Sequence, residues 1–274
     1  MGASLTDTVS VQMPVLVRSG LLAAQASIAH GFTTRVAGES PLAGSLGMDP
    51  ALPREQVLEN RRLVLAALGQ THSAWISLRQ VHGDSIVQVT GDAGASIEAD
   101  GVWTRDQGVT LAILTADCVP ILLTDRAGSF VAAVHAGWRG TKAKIAARMV
   151  ERLATQGIAA KDMLVAIGPA IGPCCFAIGE DVAQSLAQAF PASPEAIVRN
   201  EEGYVADLWA LNRTALEEAG VPGTAIDELR LCTVCDPRFF SHRRDHAITG
   251  RQAGVIALRA SPAANRDASR HRPQ

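Results

Sequence analysis

Val109-Thr110-Leu111-Ala112-Ile113-Leu114-Thr115-Ala116-Asp117-Cys118-Val119-Pro120-Ile121-Leu122-Leu123-Thr124-Asp125 carries two apolar runs, 109–114 and 121–125, on either side of a short break. Each run has the length and β-rich character of a buried strand. A third run, 130–135, ends at His135 and opens into Ala136-Gly137-Trp138-Arg139-Gly140. Working outward, 28–33 is short and apolar, and 73–78, 85–89, 163–168, 229–232 and 254–258 read as strands. Helical spacing falls on 54–68, where Val57, Leu58, Arg61, Leu65 and Leu68 recur before Gly69. Residues 141–153, 181–190 and 208–219 read as further helices, the last stopped by Gly220. Strands and helices alternate irregularly, which predicts an α+β fold with a mixed sheet and helices on its faces. No Gly-x-Gly-x-x-Gly follows a strand and no Walker-type loop occurs, so dinucleotide and nucleoside-triphosphate chemistry lack sequence support.

The composition narrows the function class. The chain has 274 residues with a 47% hydrophobic share, enough for a sizeable core. A formal net charge of −2 offers no basic surplus for a nucleic-acid backbone. Aromatic residues are 4%, too few for a base-stacking platform. Residues 1–12 carry Asp7 and lack a basic region ahead of an apolar run, and the apolar stretches are too short to span a bilayer. The expectation is a cytoplasmic protein without membrane or nucleic-acid partners. A single domain is expected over 13–260, with disordered termini at 1–12 and 261–274, the latter rich in Arg, Ala, Pro and Ser.

Polar residues at strand ends are the first place to look for chemistry. His82 closes Arg79-Gln80-Val81-His82-Gly83, Cys118 follows the 109–114 run, and His135 ends the next one. Imidazole and thiolate together suit zinc or copper, and three protein ligands leave a fourth position for water or substrate. The separations of 36 and 17 residues match no local zinc-finger spacing. Cys118 with His135, and Asp117 as the nearby acid, equally form the kit of a metal-free cysteine nucleophile. Spacing leaves both readings open.

Of the five cysteines, Cys232-Thr233-Val234-Cys235 is a lone C-x-x-C with no second pair at ribbon spacing. The zinc-deaminase signature is absent, because Gly83-Asp84 follows His82 and Leu231 precedes Cys232. Cys174 and Cys175 are expected to be packing residues beside the Gly172-Pro173 turn. Among the arginines, Arg61 on the first helix, Arg139 at a helix start and Arg244 in Ser241-His242-Arg243-Arg244 are candidates to hold phosphate or carboxylate.

These blocks together resemble the multicopper polyphenol oxidase (laccase)-like, or peptidoglycan editing factor, family. The similar segments include His30-Gly31-Phe32-Thr33-Thr34-Arg35, Glu59-Asn60-Arg61, Arg79-Gln80-Val81-His82-Gly83, Ala99-Asp100-Gly101, Thr115-Ala116-Asp117-Cys118-Val119-Pro120 and His135-Ala136-Gly137-Trp138-Arg139-Gly140. They continue through Ile167-Gly168-Pro169, Asp207-Leu208 with Asn212, Cys232-Thr233, and Phe239-Phe240-Ser241-His242-Arg243-Arg244 with Thr249-Gly250-Arg251. The resemblance implies a mixed β-sheet sandwich flanked by helices, similar to toxin deamidases with a Cys–His pair. It implies zinc, with copper as the alternative, held by His82, Cys118 and His135. The implied activities are phosphorolysis of adenosine, inosine and methylthioadenosine with inorganic phosphate as co-substrate, and adenosine deamination. An older description of the family implies copper-dependent phenol oxidation.

On that basis Cys118, His135, His82 and Asp117 are expected to carry catalysis, with Asp117 shuttling a proton. Gln80, Arg61, Arg139 and Arg244 are expected to hold substrate. Two stretches depart from the family pattern. Gly44-Ser45-Leu46-Gly47-Met48-Asp49-Pro50 is shortened and lacks the usual Asn, and Phe176-Ala177-Ile178-Gly179 lacks the usual Glu. A polar group lost from the pocket would alter substrate preference.

Overall fold

Side chains along the strand Gln252–Leu258 alternate between two cores. Ala253, Val255 and Ala257 belong to one and Ile256 and Leu258 to the other, as the period-two geometry of a strand requires. A strand buried on both faces has to lie inside a sheet with layers on either side. In the computed structural model, which describes residues 14–36, 38, 40–91, 97–246 and 248–259, it does. Gln252–Leu258 pairs antiparallel with Ile28–Thr33 on one side and Val109–Thr115 on the other. Leu16–Val17 and Ala74–Ser77 complete this five-stranded sheet, the latter parallel to Val109–Thr115.

A six-stranded sheet faces it. Its order is Ile226–Glu228, Met163–Ile167, Val119–Asp125, Val131–Ala136, Gly101–Thr104 and Ile86–Gln88. The two outermost pairs are parallel and the inner ones antiparallel, so both large sheets are mixed. The main core lies between the sheets and continues under the helices Ile145–Ala154 and Leu208–Glu218 on the outer face of the six-stranded sheet. The second core lies where Val64 and Leu68 of the Arg54–Ala67 helix region cover the outer face of the five-stranded sheet. The result is a helix-flanked β-sandwich of the α+β class, as the sequence leads one to expect. Phe32 is 1% exposed at the contact between the sheets, and its burial stabilises the sandwich by roughly 1.5–3 kcal/mol. Gly168 makes room for it, since a Cβ there would overlap the Phe32 ring.

Three departures from the sequence reading have local causes. The expected 141–153 helix is two helices, Trp138–Lys142 and Ile145–Ala154, because Lys144 takes a left-handed conformation (φ 55°) and breaks the ladder. The expected 229–232 strand lies at Ile226–Glu228 instead, and only Cys232 of the later stretch makes an isolated bridge, to Ala170. A small third sheet of Ala177–Ile178, Gly203–Ala206 and Ile197–Asn200 was not foreseen, since Val198, Arg199 and Asn200 are exposed and show no apolar alternation. The expected disordered termini, 1–12 and 261–274, lie outside the described residues.

Candidate active site and metal centre

The chain passes from one sheet to the other through Ala116-Asp117-Cys118, between Val109–Thr115 and Val119–Asp125. This crossover places Cys118 at the seam of the sandwich. Antiparallel register then pairs Pro120 with His135 and Val119 with Ala136, which brings the His135 ring beside the thiol. His82 arrives from the loop after Ala74–Ser77. One donor atom from each of His82, Cys118 and His135 lies within 4.8 Å of the others. The two imidazoles meet edge to face, with centroids 4.9 Å apart.

Two backbone conformations that are costly for side chains other than glycine build this convergence. His82 has φ 59° and Asp117 has φ 90°. Asp100 secures the first. Its carboxylate is fully buried and accepts from the backbone N–H groups of Val81 (3.2 Å), His82 (3.0 Å) and Gly83 (2.7 Å). It also pairs with His135 Nδ1 at 2.7 Å. Burial pushes the Asp100 pKa up, but the bonds from His135 and Gly83 outweigh it and hold the group below the usual carboxylate range. The contact keeps a proton on His135 Nδ1, which donates to Asp100, and leaves Nε2 for the shared centre. Asp117 is secured differently. Its Oδ1 accepts from Thr233 Oγ1 and its Oδ2 from the backbone N–H of Arg243, both at 2.7 Å.

Without a metal, the thiol and ring form a charge pair. Burial pushes the Cys118 pKa up, yet the neighbouring His135 and His82 bring it down to about 6. Burial likewise opposes charge on His135, and Cys118 and Asp100 still push it up to about 9. The two shifts are largely one attraction seen from both ends. Gly137 permits the close approach, because a Cβ there would sit 3.1 Å from both Cys118 Sγ and His82 Cδ2. Two imidazoles and one low-pKa thiolate form a borderline-to-soft donor set, and a trio leaves one position open. The residues therefore fit a catalytic zinc or a single copper.

A cleft of about 500 Å³ opens over the trio. Its walls include Gly47, Met48, Gln80, Thr115, Ile171, Phe176, His242, Arg243 and Arg251. Gln80 is bolted to strand Val109–Thr115 by two bonds with Leu114, its Nε2 donating to the carbonyl and its Oε1 accepting from the N–H. Thr115 Oγ1 is buried with no hydrogen-bond partner among the described residues. Both family-divergent stretches reach the cleft, through Gly47 and Met48 and through Phe176.

The arginines assort differently from the sequence expectation. Arg61 donates from Nε and Nη2 to the Leu46 carbonyl and covers Trp75, away from the cleft. Arg139 lies over Trp138 and also does not line the cleft. Arg244 is consumed by the carbonyls of Thr233 and Phe239 and by Asp245. The cleft instead receives Arg243 and Arg251. Arg243 donates to the carbonyls of Cys175 and Ala177, and Arg251 to those of Thr249 and Gly250. Neither is ion-paired to a carboxylate among the described residues. Sequence reading named the Arg243-Arg244 pair and chose its other member. Asp117, expected as a proton shuttle, has both oxygens committed to positioning the 233 and 243 segments. Asp100, the residue that orients His135, carried no role in the sequence reading. Its only signal was the Ala99-Asp100-Gly101 block.

Comparison with known proteins gives a consistent result. A family model described as multi-copper polyphenol oxidoreductase laccase matches residues 29–259. The chain is 40% identical over 245 residues to "Purine nucleoside phosphorylase YlmD" of Geobacillus stearothermophilus, covering 84% of this chain and 89% of that one. It is 38% identical over 240 residues to a protein of Deinococcus radiodurans named purine nucleoside phosphorylase, covering 87% and 92% respectively. The crystal structure of YlmD from Geobacillus stearothermophilus superposes with a TM-score of 0.80 at 38% identity, over 86% of this chain and 93% of that one.

Proposed function

The chain belongs to the multi-copper polyphenol oxidoreductase laccase family, and from that premise we propose that it is a purine nucleoside phosphorylase using one zinc ion held by His82, Cys118 and His135. One observation carries the reading. A single cleft joins this trio to two guanidinium groups, Arg243 and Arg251, whose bonds go to carbonyls and not to acids. A cleft of that kind suits an anionic co-substrate beside a neutral ligand.

In phosphorolysis a phosphate oxygen bonds to the ribosyl carbon as the bond to the purine nitrogen breaks. The purine leaves with the electron pair and takes up a proton. Arg243 and Arg251 would hold phosphate in line with a carbon that becomes oxocarbenium-like, so their charge counts most where the nucleophile must be fixed. Gln80, fixed by its two bonds to Leu114, and Thr115 form the polar wall of the cleft beside the trio. Met48, Ile171 and Phe176 supply apolar walls for the base. Asp100 keeps His135 in one tautomer throughout. His82, Cys118 and His135 would hold the zinc, which when bound would supply Lewis-acid polarisation. Adenosine, inosine and methylthioadenosine are the proposed substrates, in the cytoplasm, where free thiols persist.

Adenosine deamination is the secondary activity of this reading. It needs an acid–base group beside the attacking water, and Asp117, the carboxylate lining the cleft, has both oxygens engaged. Phosphorolysis therefore ranks first. A metal-free cysteine hydrolase finds some support, because Cys118, His135 and Asp100 stand in triad order. The second imidazole, His82, is what such a triad does not need and a chelate does. A multicopper oxidase needs several copper centres, and one His–Cys–His trio supplies one.

The test is purine release from inosine and adenosine with and without phosphate. Cys118→Ser is expected to abolish phosphate-dependent release. Arg243→Ala is expected to raise the KM for phosphate at least tenfold, whereas Arg61→Ala leaves it unchanged. Release that ignores phosphate, or that survives full removal of metal, overturns the proposal.

A further inference from the structure

The loop after Met163–Ile167 and the loop after Ile226–Glu228 run side by side, because these strands are parallel neighbours and the isolated bridge Ala170–Cys232 extends their pairing. That juxtaposition gathers four cysteines from positions about sixty residues apart. One Sγ from each of Cys174, Cys175, Cys232 and Cys235 lies within 4.8 Å of the others. Cys235 Sγ is 3.7 Å from that of Cys174 and 3.4 Å from that of Cys175. All four are free thiols. The cluster is separate from the His82–Cys118–His135 trio and corrects the sequence reading of a lone C-x-x-C with two packing cysteines nearby.

We propose that Cys174, Cys175, Cys232 and Cys235 form a second metal site, which binds one zinc ion tetrahedrally through four thiolates and clips two loops of the cleft together. The spacing fits. With zinc–sulfur bonds of about 2.3 Å, neighbouring sulfurs of a tetrahedron stand about 3.8 Å apart. A disulfide needs about 2.05 Å. Binding releases four thiol protons to solvent and leaves a complex of charge −2. The surroundings suit that charge. Gly172 N–H donates to Cys232 Sγ at 3.3 Å. The Arg244 guanidinium donates to the carbonyl of Thr233 inside the C-x-x-C turn, and that of Arg243 to the carbonyl of Cys175. Cationic groups thus sit on both cysteine-bearing loops, and the N–H bond to Cys232 Sγ is of the kind that orients a ligand and tunes the ion. Four protein thiolates close the coordination sphere, so the site is structural and offers no position for substrate. Its consequence falls on the cleft, because Phe176 follows Cys175 directly and Arg243 is anchored to the Cys175 and Ala177 carbonyls.

The inference does not depend on nucleoside chemistry and is tested apart from it. The full-length chain with Cys118→Ser, which disables the other site, is loaded with cobalt(II). One equivalent of cobalt with intense tetrahedral d–d bands and sulfur-to-cobalt charge transfer is expected. Adding Cys235→Ser should weaken or abolish that spectrum. Because cysteine variants can fail to fold, a second measurement uses the wild-type chain as purified under reducing conditions, which should contain two zinc ions. Zinc restricted to one ion per chain in the wild type, with no tetrathiolate cobalt spectrum in the Cys118→Ser protein, overturns the proposal. So does mapping of the fresh wild-type protein that shows Cys174 or Cys175 disulfide-linked to Cys232 or Cys235, or an iron content that replaces the second zinc.

Discussion

Gly137→Ala isolates the close approach on which the proposed catalytic centre depends. The added Cβ would stand 3.1 Å from Cys118 Sγ and 3.1 Å from His82 Cδ2. Nonbonded carbon contacts settle at about 3.5 Å or beyond, so each of the two donor groups must retreat by about 0.4 Å. A metal site holds its ligand distances to about 0.2 Å. The intrusion therefore exceeds the tolerance of the site. Changes beside ligands typically cost 10–100-fold in metal affinity, which is about 1.4–2.8 kcal/mol. The backbone is not the source of the effect, since Gly137 has φ −69° and ψ 175°, which alanine adopts freely. Nor should the fold be lost, because overpacking of this kind costs about 1–3 kcal/mol. The assay is a competitive chelator titration of wild type and variant, read beside thermal unfolding of both. An expected loss of 10-fold or more in zinc affinity, with cooperative unfolding retained, supports the close-packed chelate. Unchanged zinc affinity would refute it, because a Cβ at that position obliges both donor groups to give way by a few tenths of an ångström.

Two further outcomes follow from the groups around the trio. Asp100→Asn removes the anion that holds His135 Nδ1 and three loop N–H groups. The loss of a buried partner of this kind costs about 3–5 kcal/mol, so denaturant unfolding should show a stability loss of that order and a lower zinc affinity. Because the Asp100 pKa lies below its unfolded value, its contribution is present above the unfolded pKa and is lost as pH falls through the folded one. The wild-type advantage over Asp100→Asn should therefore be full at neutral pH and shrink under acid. In the metal-stripped protein, iodoacetamide alkylation of Cys118 should rise with a midpoint near pH 6, against about 8.5 for an ordinary thiol. That pair adds almost no slope to stability between about pH 6.5 and pH 9, since the folded chain has moved one proton from sulfur to His135 while the unfolded chain holds the same number. An alkylation midpoint above pH 8 would show that the imidazoles do not face the thiol.

The sandwich was legible where burial on both faces leaves a long apolar run, as in Val109–Thr115 and Val119–Asp125. It was illegible where the chain is half exposed, as in the hairpin Ile197–Asn200 and Gly203–Ala206. The Lys144 break escaped notice because a lysine at positive φ carries no glycine to announce it. His82, Cys118 and His135 were visible as polar residues at strand ends, although their convergence depends on register and on a crossover between sheets. Arginine roles were the least legible. Arg243 and Arg244 are adjacent, yet Arg243 lines the cleft while Arg244 turns to the Thr233 and Phe239 carbonyls and to Asp245, a difference set by backbone direction and not by residue type. The four-cysteine cluster stayed hidden because a parallel strand pair, and no local spacing, brings its halves together.

The Ala116-Asp117-Cys118 crossover gives the sandwich an unusual seam. His82 lies in the loop that runs from Ala74–Ser77 of one layer to Ile86–Gln88 of the other, His135 hangs from the six-stranded layer, and Cys118 from the second thread that stitches the two. An ion bridging all three would pin both threads to the six-stranded plate. Prying the layers apart would then begin with its escape, and the loaded chain would resist mechanical or thermal opening more than its stripped counterpart, beyond what either plate contributes alone.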